Sequence, residues 1–169
     1  MNSAIRIPAG RRPFTRLGAR SRRMAFVLAL AALAGLPGFV SAQDVSLSCL
    51  GGTRLNEADL SRGTTIVVVW ASWSPRSKDI VERINPLAGR WSGRARVLTV
   101  NFQEDQQAVQ GFLRGRDMGA PICMDPDGAF SRKYNVATLP GLLIVKDGQV
   151  AYRGKLPADA DRVIADLLR

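Results

Sequence analysis

The sequence predicts an α/β domain, a three-layer sandwich in which helices cover a central mixed β-sheet, behind a removable leader. Three observations lead there. The continuous apolar run Ile66-Val67-Val68-Val69-Trp70 reads as a strand buried on both faces. Ile80, Val81, Ile84, Leu87 and Trp91 then recur at helical spacing, giving one face able to cover a sheet. Near the C terminus, Asp147-Gly148 between two apolar segments is a strong hairpin signal.

The leader is residues 1–42, which hold seven Arg, no Lys and no acidic residue. Those arginines precede an apolar run from Ala25 to Val40 and the small-residue pattern Val40-Ser41-Ala42, so a signal peptide cut before Gln43 is expected. A run of 16 residues, broken by Gly35, Pro37 and Gly38, is short for a membrane-spanning helix of roughly 20 residues. Membrane contact is therefore expected only during export, with an uncleaved anchor as the alternative. Ser21-Arg22-Arg23 ahead of a mild hydrophobic stretch fits a general secretory or a twin-arginine signal. Either route ends in the periplasm, where a disulfide persists.

Removing the leader also removes most of the charge. Of the formal +10, residues 43–169 keep 17 basic against 14 acidic side chains, a net +3 without a basic block. Nucleic acid is therefore not an expected partner. The chain contains no His, which excludes a Ser-His-Asp triad, a Cys-His pair and any histidine-ligated metal.

The remaining elements follow in order. Val45 to Cys49, the Gly51-Gly52 turn and Leu55 to Leu60 suggest a small hairpin with a helical turn. Pro86 is expected to kink or divide the helix that starts near Ser77. Arg96 to Phe102 is the next strand, and Glu104 to Arg114 the next helix, with acids in its first turn and Arg114 in its last. Pro121 to Met124 is a short strand ended by the turn Asp125-Pro126-Asp127-Gly128. Ala129 to Tyr134 supplies a short helix with Phe130 and Tyr134 on one side. Leu139 to Val145 and Val150 to Arg153 form the hairpin, and Pro157 or its neighbours open a terminal helix with Val163, Ile164, Leu167 and Leu168 inward. One domain, residues 43–169, accounts for all of these.

Chemistry concentrates where the first long strand meets its helix. Trp73-Ser74-Pro75-Arg76-Ser77 sets two hydroxyls at i and i+3 at the helix mouth. A cysteine pair at this spacing is redox-active, because the helix N terminus favours the first thiolate and the second closes a disulfide behind it. Serine has no disulfide couple. Ser74 or Ser77 is instead expected to cap the helix.

This stretch, together with Thr138-Leu139-Pro140, resembles the thioredoxin superfamily, and the N-terminal hairpin and the short central insertion Pro121 to Gly128 are similar to its exported TlpA/ResA branch. The resemblance covers residues 44–169. It implies a thioredoxin-like sandwich, a Trp-Cys-x-x-Cys redox motif with Ser74 and Ser77 standing at both cysteine positions, and a cis peptide bond before Pro140. It also implies that Trp73, Pro75, Arg76, Leu139 and Pro140 form a surface for a periplasmic protein or an extended peptide segment. The same residues also read as inherited architecture, with Trp73 packing locally and Pro140 fixing a turn. Val68 and Ile80 stand where relatives often keep acids that assist proton transfer, and Asp79 lies on another helical face.

Only two cysteines are present, Cys49 and Cys123. Three readings stay open for them: a disulfide, two separate buried thiols, or a functional thiol or metal role. Copper(I) on Cys49, Cys123, Met118 and Met124 is disfavoured because adjacent strand residues Cys123 and Met124 point to opposite faces. No metal or other cofactor is expected. The expected function is therefore a redox-inactive periplasmic binding, accessory or chaperone-like module. The alternatives are a divergent thiol-disulfide oxidoreductase using Cys49 or Cys123, and an inactive serine-substituted form of a conventional one.

Overall fold

The computed structural model describes residues 44–169, so the signal peptide expected at 1–42 lies outside the described residues. Five strands form the central sheet in the order β5-β4-β3-β6-β7. They are β3 (Thr64–Trp70), β4 (Arg96–Phe102), β5 (Ile122–Asp125), β6 (Gly141–Lys146) and β7 (Gln149–Lys155). β3, β4 and β5 run parallel, while β6 pairs antiparallel with both β3 and β7. The sheet is mixed, as the alternation of strands and helices followed by a hairpin requires.

Period-two alternation along the strands divides the core into two clusters. Ile66, Val68 and Trp70 face Ile80, Ile84 and Trp91 of α2 (Ile80–Trp91), Val109 of α3 (Gln106–Phe112) and Ile164 of α5 (Ala160–Leu167). Val67, Val69, Leu98 and Val100 face the other way, onto Leu47, Leu55, Leu60 and Phe130. The second set comes from a two-stranded hairpin, β1 (Ser46–Ser48) with β2 (Arg54–Asn56), the short α1 (Glu57–Leu60) and α4 (Ala129–Lys133). Both clusters are fully buried at their centres, consistent with β3 as a covered middle strand.

Two turns work as their residues demand. Asp147 and Gly148 both have positive φ, 48° and 78°, the geometry of a two-residue hairpin turn that matches strand twist. A Cβ on Gly141 would stand 2.5 Å from Val136 Cγ1 and 2.7 Å from the Thr138 carbonyl, so only glycine fits directly after Pro140.

Four expectations need correction. Of the two outcomes expected for Pro86, division is overturned, since it sits inside a single α2 from Ile80 to Trp91. Buried side chains on both sides of it, Ile84 and Leu87, hold the helix on the sheet and outweigh one missing backbone donor. The third helix starts at Gln106, not Glu104: Asp105 is its N-cap, accepting from the Ala108 N–H at 2.7 Å, and Arg114 lies beyond its end. The terminal helix begins at Ala160, leaving Pro157 in the preceding loop. Within it Ile164 is fully buried and Leu167 and Leu168 pack against the core, while Val163 is only partly covered.

One buried acid organises the second face. Asp125, at the end of β5, accepts from the Phe130 and Ser131 N–H groups at 3.0 Å each and from Ser131 Oγ at 2.7 Å. Gly128, the N-cap of α4, has no side chain to do this, so Asp125 satisfies the first turn from three residues upstream. The ring of Phe130 then lies 4.7 Å from that of Tyr134.

Candidate functional site

β3 delivers the chain to the helix mouth and stops at Trp70. Ser74 N–H donates to the Ala71 carbonyl at 3.1 Å and Ser77 N–H to the Ser74 carbonyl at 2.9 Å, winding Pro75–Ser77 into a 3-10 turn ahead of α2. Trp73 is 58% exposed, one of only two large hydrophobic side chains so open among the described residues. Its ring touches the structure at Phe102, 6.5 Å between centroids.

The Leu139-Pro140 bond is cis, as the resemblance implied. Leu139 and Ala137 form one wall of an open groove of about 410 Å³, and Trp73, Ser74, Pro75 and Arg76 form the other. The structure thus brings together Trp73, Pro75, Arg76 and Leu139, with buried Pro140 behind the wall rather than on its surface.

The two serines do not cap. Ser74 is the N-cap residue of the 3-10 turn but its side chain makes no cap hydrogen bond, and the fully buried Ser77 Oγ has no partner. The tight 3-10 turn is the physical reason, since it already satisfies the Ser77 N–H through the Ser74 carbonyl. Trp70 Nε1 and Asn101 Oδ1, on residues paired across β3 and β4, are likewise buried without a protein partner. Val68 and Ile80 are fully buried and apolar, and Asp79 is exposed at the start of α2.

The sequence reading missed Glu104. Its carboxylate accepts from Ser72 N–H at 2.6 Å, from Ser72 Oγ, and from Asn101 Nδ2 at 2.6 Å, tying the loop that carries Trp73 to the end of β4. A helix-start reading concealed it, because an acid two residues before an amphipathic run resembles first-turn decoration.

The second site lies on the other face of the sheet. Cys49 and Cys123 are bonded to each other across a sequence separation of 74, the first of the three readings. Cys49 forms an isolated antiparallel bridge to Cys123, and Leu50 N–H donates to the Ile122 carbonyl at 2.8 Å, so the hairpin is laid along the β5 edge. Cys123 belongs to the cluster facing the hairpin while Met124 packs into the opposite one. A cleft of about 280 Å³ is lined by Cys49 and Cys123, by Leu55, Leu98 and Pro121, and by the charged side chains of Arg54, Arg96 and Asp59.

An ionic contact also ties α1 to α4, between Glu57 and Lys133. Burial alone would raise the Glu57 carboxyl, but the Lys133 hydrogen bond and charge, aided by Asp44 and the Val45 backbone, hold it below the ordinary carboxylate value. Burial, with the Glu57 charge beside it, pushes the Tyr134 hydroxyl upward.

A family model described as Redoxin matches residues 40–168. The sporulation thiol-disulfide oxidoreductase A of Bacillus subtilis (strain 168) is 26% identical over 91 residues, covering 51% of this chain and 55% of that protein. The thiol-disulfide oxidoreductase ResA of Bacillus thuringiensis subsp. konkukian is 24% identical over 103 residues, 60% of each chain. The chain therefore spans somewhat more than half the length of these curated relatives. Among solved structures, the exposed lipoprotein thioredoxin of Streptococcus pneumoniae superposes with a TM-score of 0.64 at 19% identity, over 73% of this chain and 97% of that one. StoA of Bacillus subtilis gives a TM-score of 0.62 at 20% identity, over 74% and 96%. At these identities the structures show the fold, which is thioredoxin-like.

Proposed function

The chain belongs to the Redoxin family, and from that premise we propose a thiol-disulfide-oxidoreductase-type protein in which two roles have separated: the Trp73 and Leu139 groove binds an extended protein segment, and Cys49–Cys123 is the one couple able to gain or lose electrons. The carrying observation is where the sulfur is. Both cysteines of the sequence are bonded to each other on the hairpin face. The helix mouth, where the family resemblance puts its redox pair, holds the hydroxyls of Ser74 and Ser77 on the α2 side. With β4 between β3 and β5, the two sites stand roughly 10 Å apart laterally, two strand spacings, in addition to facing opposite ways. No thiol-disulfide relay connects them.

Redox inactivity of the whole chain, the first expectation, has less support than this divided reading. The oxidoreductase relatives and the formed disulfide both favour exchange at Cys49–Cys123. The binding half rests on the exposed Trp73 and on the open groove whose Leu139 wall precedes the cis bond to Pro140. The leader expected from the sequence and a structural neighbour described as an exposed lipoprotein support work outside the cytoplasm, in the periplasm on the present reading, with a periplasmic protein as partner.

The test compares disulfide exchange on a protein substrate by the wild type, by Cys49→Ser/Cys123→Ser, and by Ser74→Cys/Ser77→Cys. Wild-type exchange is expected to be slow and to vanish with the cysteines, while the restored pair gains a faster activity that needs neither native cysteine. A wild type that exchanges no faster than Cys49→Ser/Cys123→Ser overturns the assignment of the couple. Segment binding is tested separately by fluorescence titration with an extended peptide, and affinity unchanged by Trp73→Ala removes the groove from the proposal.

A further inference from the structure

The cleft over the disulfide has features that an inert staple does not need. Cys49 and Cys123 line it together with Leu98, and Arg54, Arg96 and Asp59 line it too, a net charge of +1. Arg96 is held to Asp59 only by a 3.5 Å pair with about half of its side chain exposed, and Arg54 Nε reaches Ser46 Oγ at 3.4 Å. Both guanidinium groups therefore remain available to an anionic visitor, since such open pairs are weakly held. At about 280 Å³ the cleft lies near the lower limit of small-molecule sites, roughly 300 Å³, too small for a folded protein.

We propose that this cleft admits a low-molecular-weight thiol bearing carboxylates, an amino-acid-sized or short-peptide thiol, and presents it to the Cys49 sulfur. The inference rests on Cys49–Cys123 being an exchangeable couple, and it adds which reactant the couple meets. Cys49 is the more open end, 8% exposed against 1% for Cys123. The incoming thiolate attacks Cys49 Sγ, a new bond forms between the two, and the Cys49–Cys123 bond breaks with its electron pair leaving on Cys123 Sγ, which takes a proton from water. A second thiolate then attacks the ligand sulfur of that mixed disulfide. Cys49 departs as a thiolate, giving the protein dithiol and one oxidised ligand dimer. Two thiols are oxidised and one protein disulfide is reduced, and the reverse sequence forms the bond from the same cleft. Carboxylates on Arg54 and Arg96 hold the reactant while its sulfur reaches Cys49.

The experiment uses the oxidised protein with reduced glutathione as the anionic probe, cysteamine as the cationic one and 2-mercaptoethanol as the neutral one. Each rate is normalised to the same thiol's rate on 2-hydroxyethyl disulfide, and products are trapped by acid and alkylation for peptide mass mapping. Glutathione is expected to be favoured about fivefold over cysteamine at low salt, the scale of one or two partly exposed ion pairs. The preference should shrink with salt and disappear in Arg54→Gln/Arg96→Gln, with the adduct on Cys49. Equal normalised rates for the three thiols, or an adduct confined to Cys123, overturn the cleft assignment while leaving exchange itself standing. A bond opened by every thiol only at the rate of global unfolding overturns both the cleft and the redox role of the couple.

Discussion

Removing the disulfide by Cys49→Ala/Cys123→Ala should destabilise the domain by an amount set chiefly by chain length. The bond closes a loop with a sequence separation of 74, and the loop-closure relation then gives about 4.5 kcal/mol at 25 °C from the unfolded state's regained freedom. For a domain of residues 44–169, an unfolding entropy of about 2.1 cal/mol/K per residue converts this into a fall in Tm of roughly 15 °C. Both sulfurs lie in the hairpin-side core, so the truncations cost some packing as well. Urea titration of the oxidised wild type and the double variant measures the difference directly. The m-value should rise, because the unfolded variant is no longer tied into a loop and exposes more surface. A loss below about 1 kcal/mol with an unchanged m-value would refute the reasoning, showing that the unfolded chain is already compact between these positions.

Other expectations are more local. Asp125→Ala leaves the Phe130 and Ser131 donors without their acceptor in a fully buried site and should cost about 3 kcal/mol, read from the same titration. Raising the pH should affect stability through Tyr134. Its folded value is raised by burial and the Glu57 charge, so its contribution is complete below the ordinary tyrosine value near 10 and is lost as pH climbs through the folded value. Ultraviolet titration should show Tyr134 ionising after a free tyrosine, and Glu57→Gln should narrow the gap. Trp70 and Trp91 are buried while Trp73 is open, so acrylamide should quench one red-shifted component that Trp73→Phe abolishes; quenching unchanged by that variant contradicts the exposed position. Glu104→Ala should release Ser72 and Asn101 together and weaken peptide binding at the groove about as much as Asn101→Ala. Unaltered affinity in both variants would show that this tie does not position Trp73.

Much of the fold was legible because the strands and helices that build it are strongly patterned. Ile66 to Trp70 is apolar without interruption, and β3 indeed carries buried residues on both faces. The α2 periodicity and the Asp147-Gly148 turn were equally local signals. What escaped reading depends on partners distant in sequence. Glu104 looks like a helix-start acid until β3 and β4 align and bring Ser72 to it. Asp125 looks like the first turn residue until α4 folds back onto its carboxylate. Ser74 and Ser77 could be placed at a helix mouth, but not the 3-10 winding that leaves their hydroxyls out of the capping. Pairing of the two cysteines likewise required the hairpin to lie along β5, which no spacing in the sequence announces.

The two borders of the sheet are unequal, and this limits how copies of the molecule can associate. At β5 the bridge from Cys49 and the hydrogen bond from Leu50 occupy backbone groups that a foreign strand would otherwise claim. β7, the opposite border, is largely open to solvent and carries Arg153 and Lys155, cationic side chains of the kind that discourage strand addition. With β5 covered by the tethered hairpin and β7 guarded by charge, neither border of the described sheet invites a second strand, and edge-to-edge growth is disfavoured from both sides.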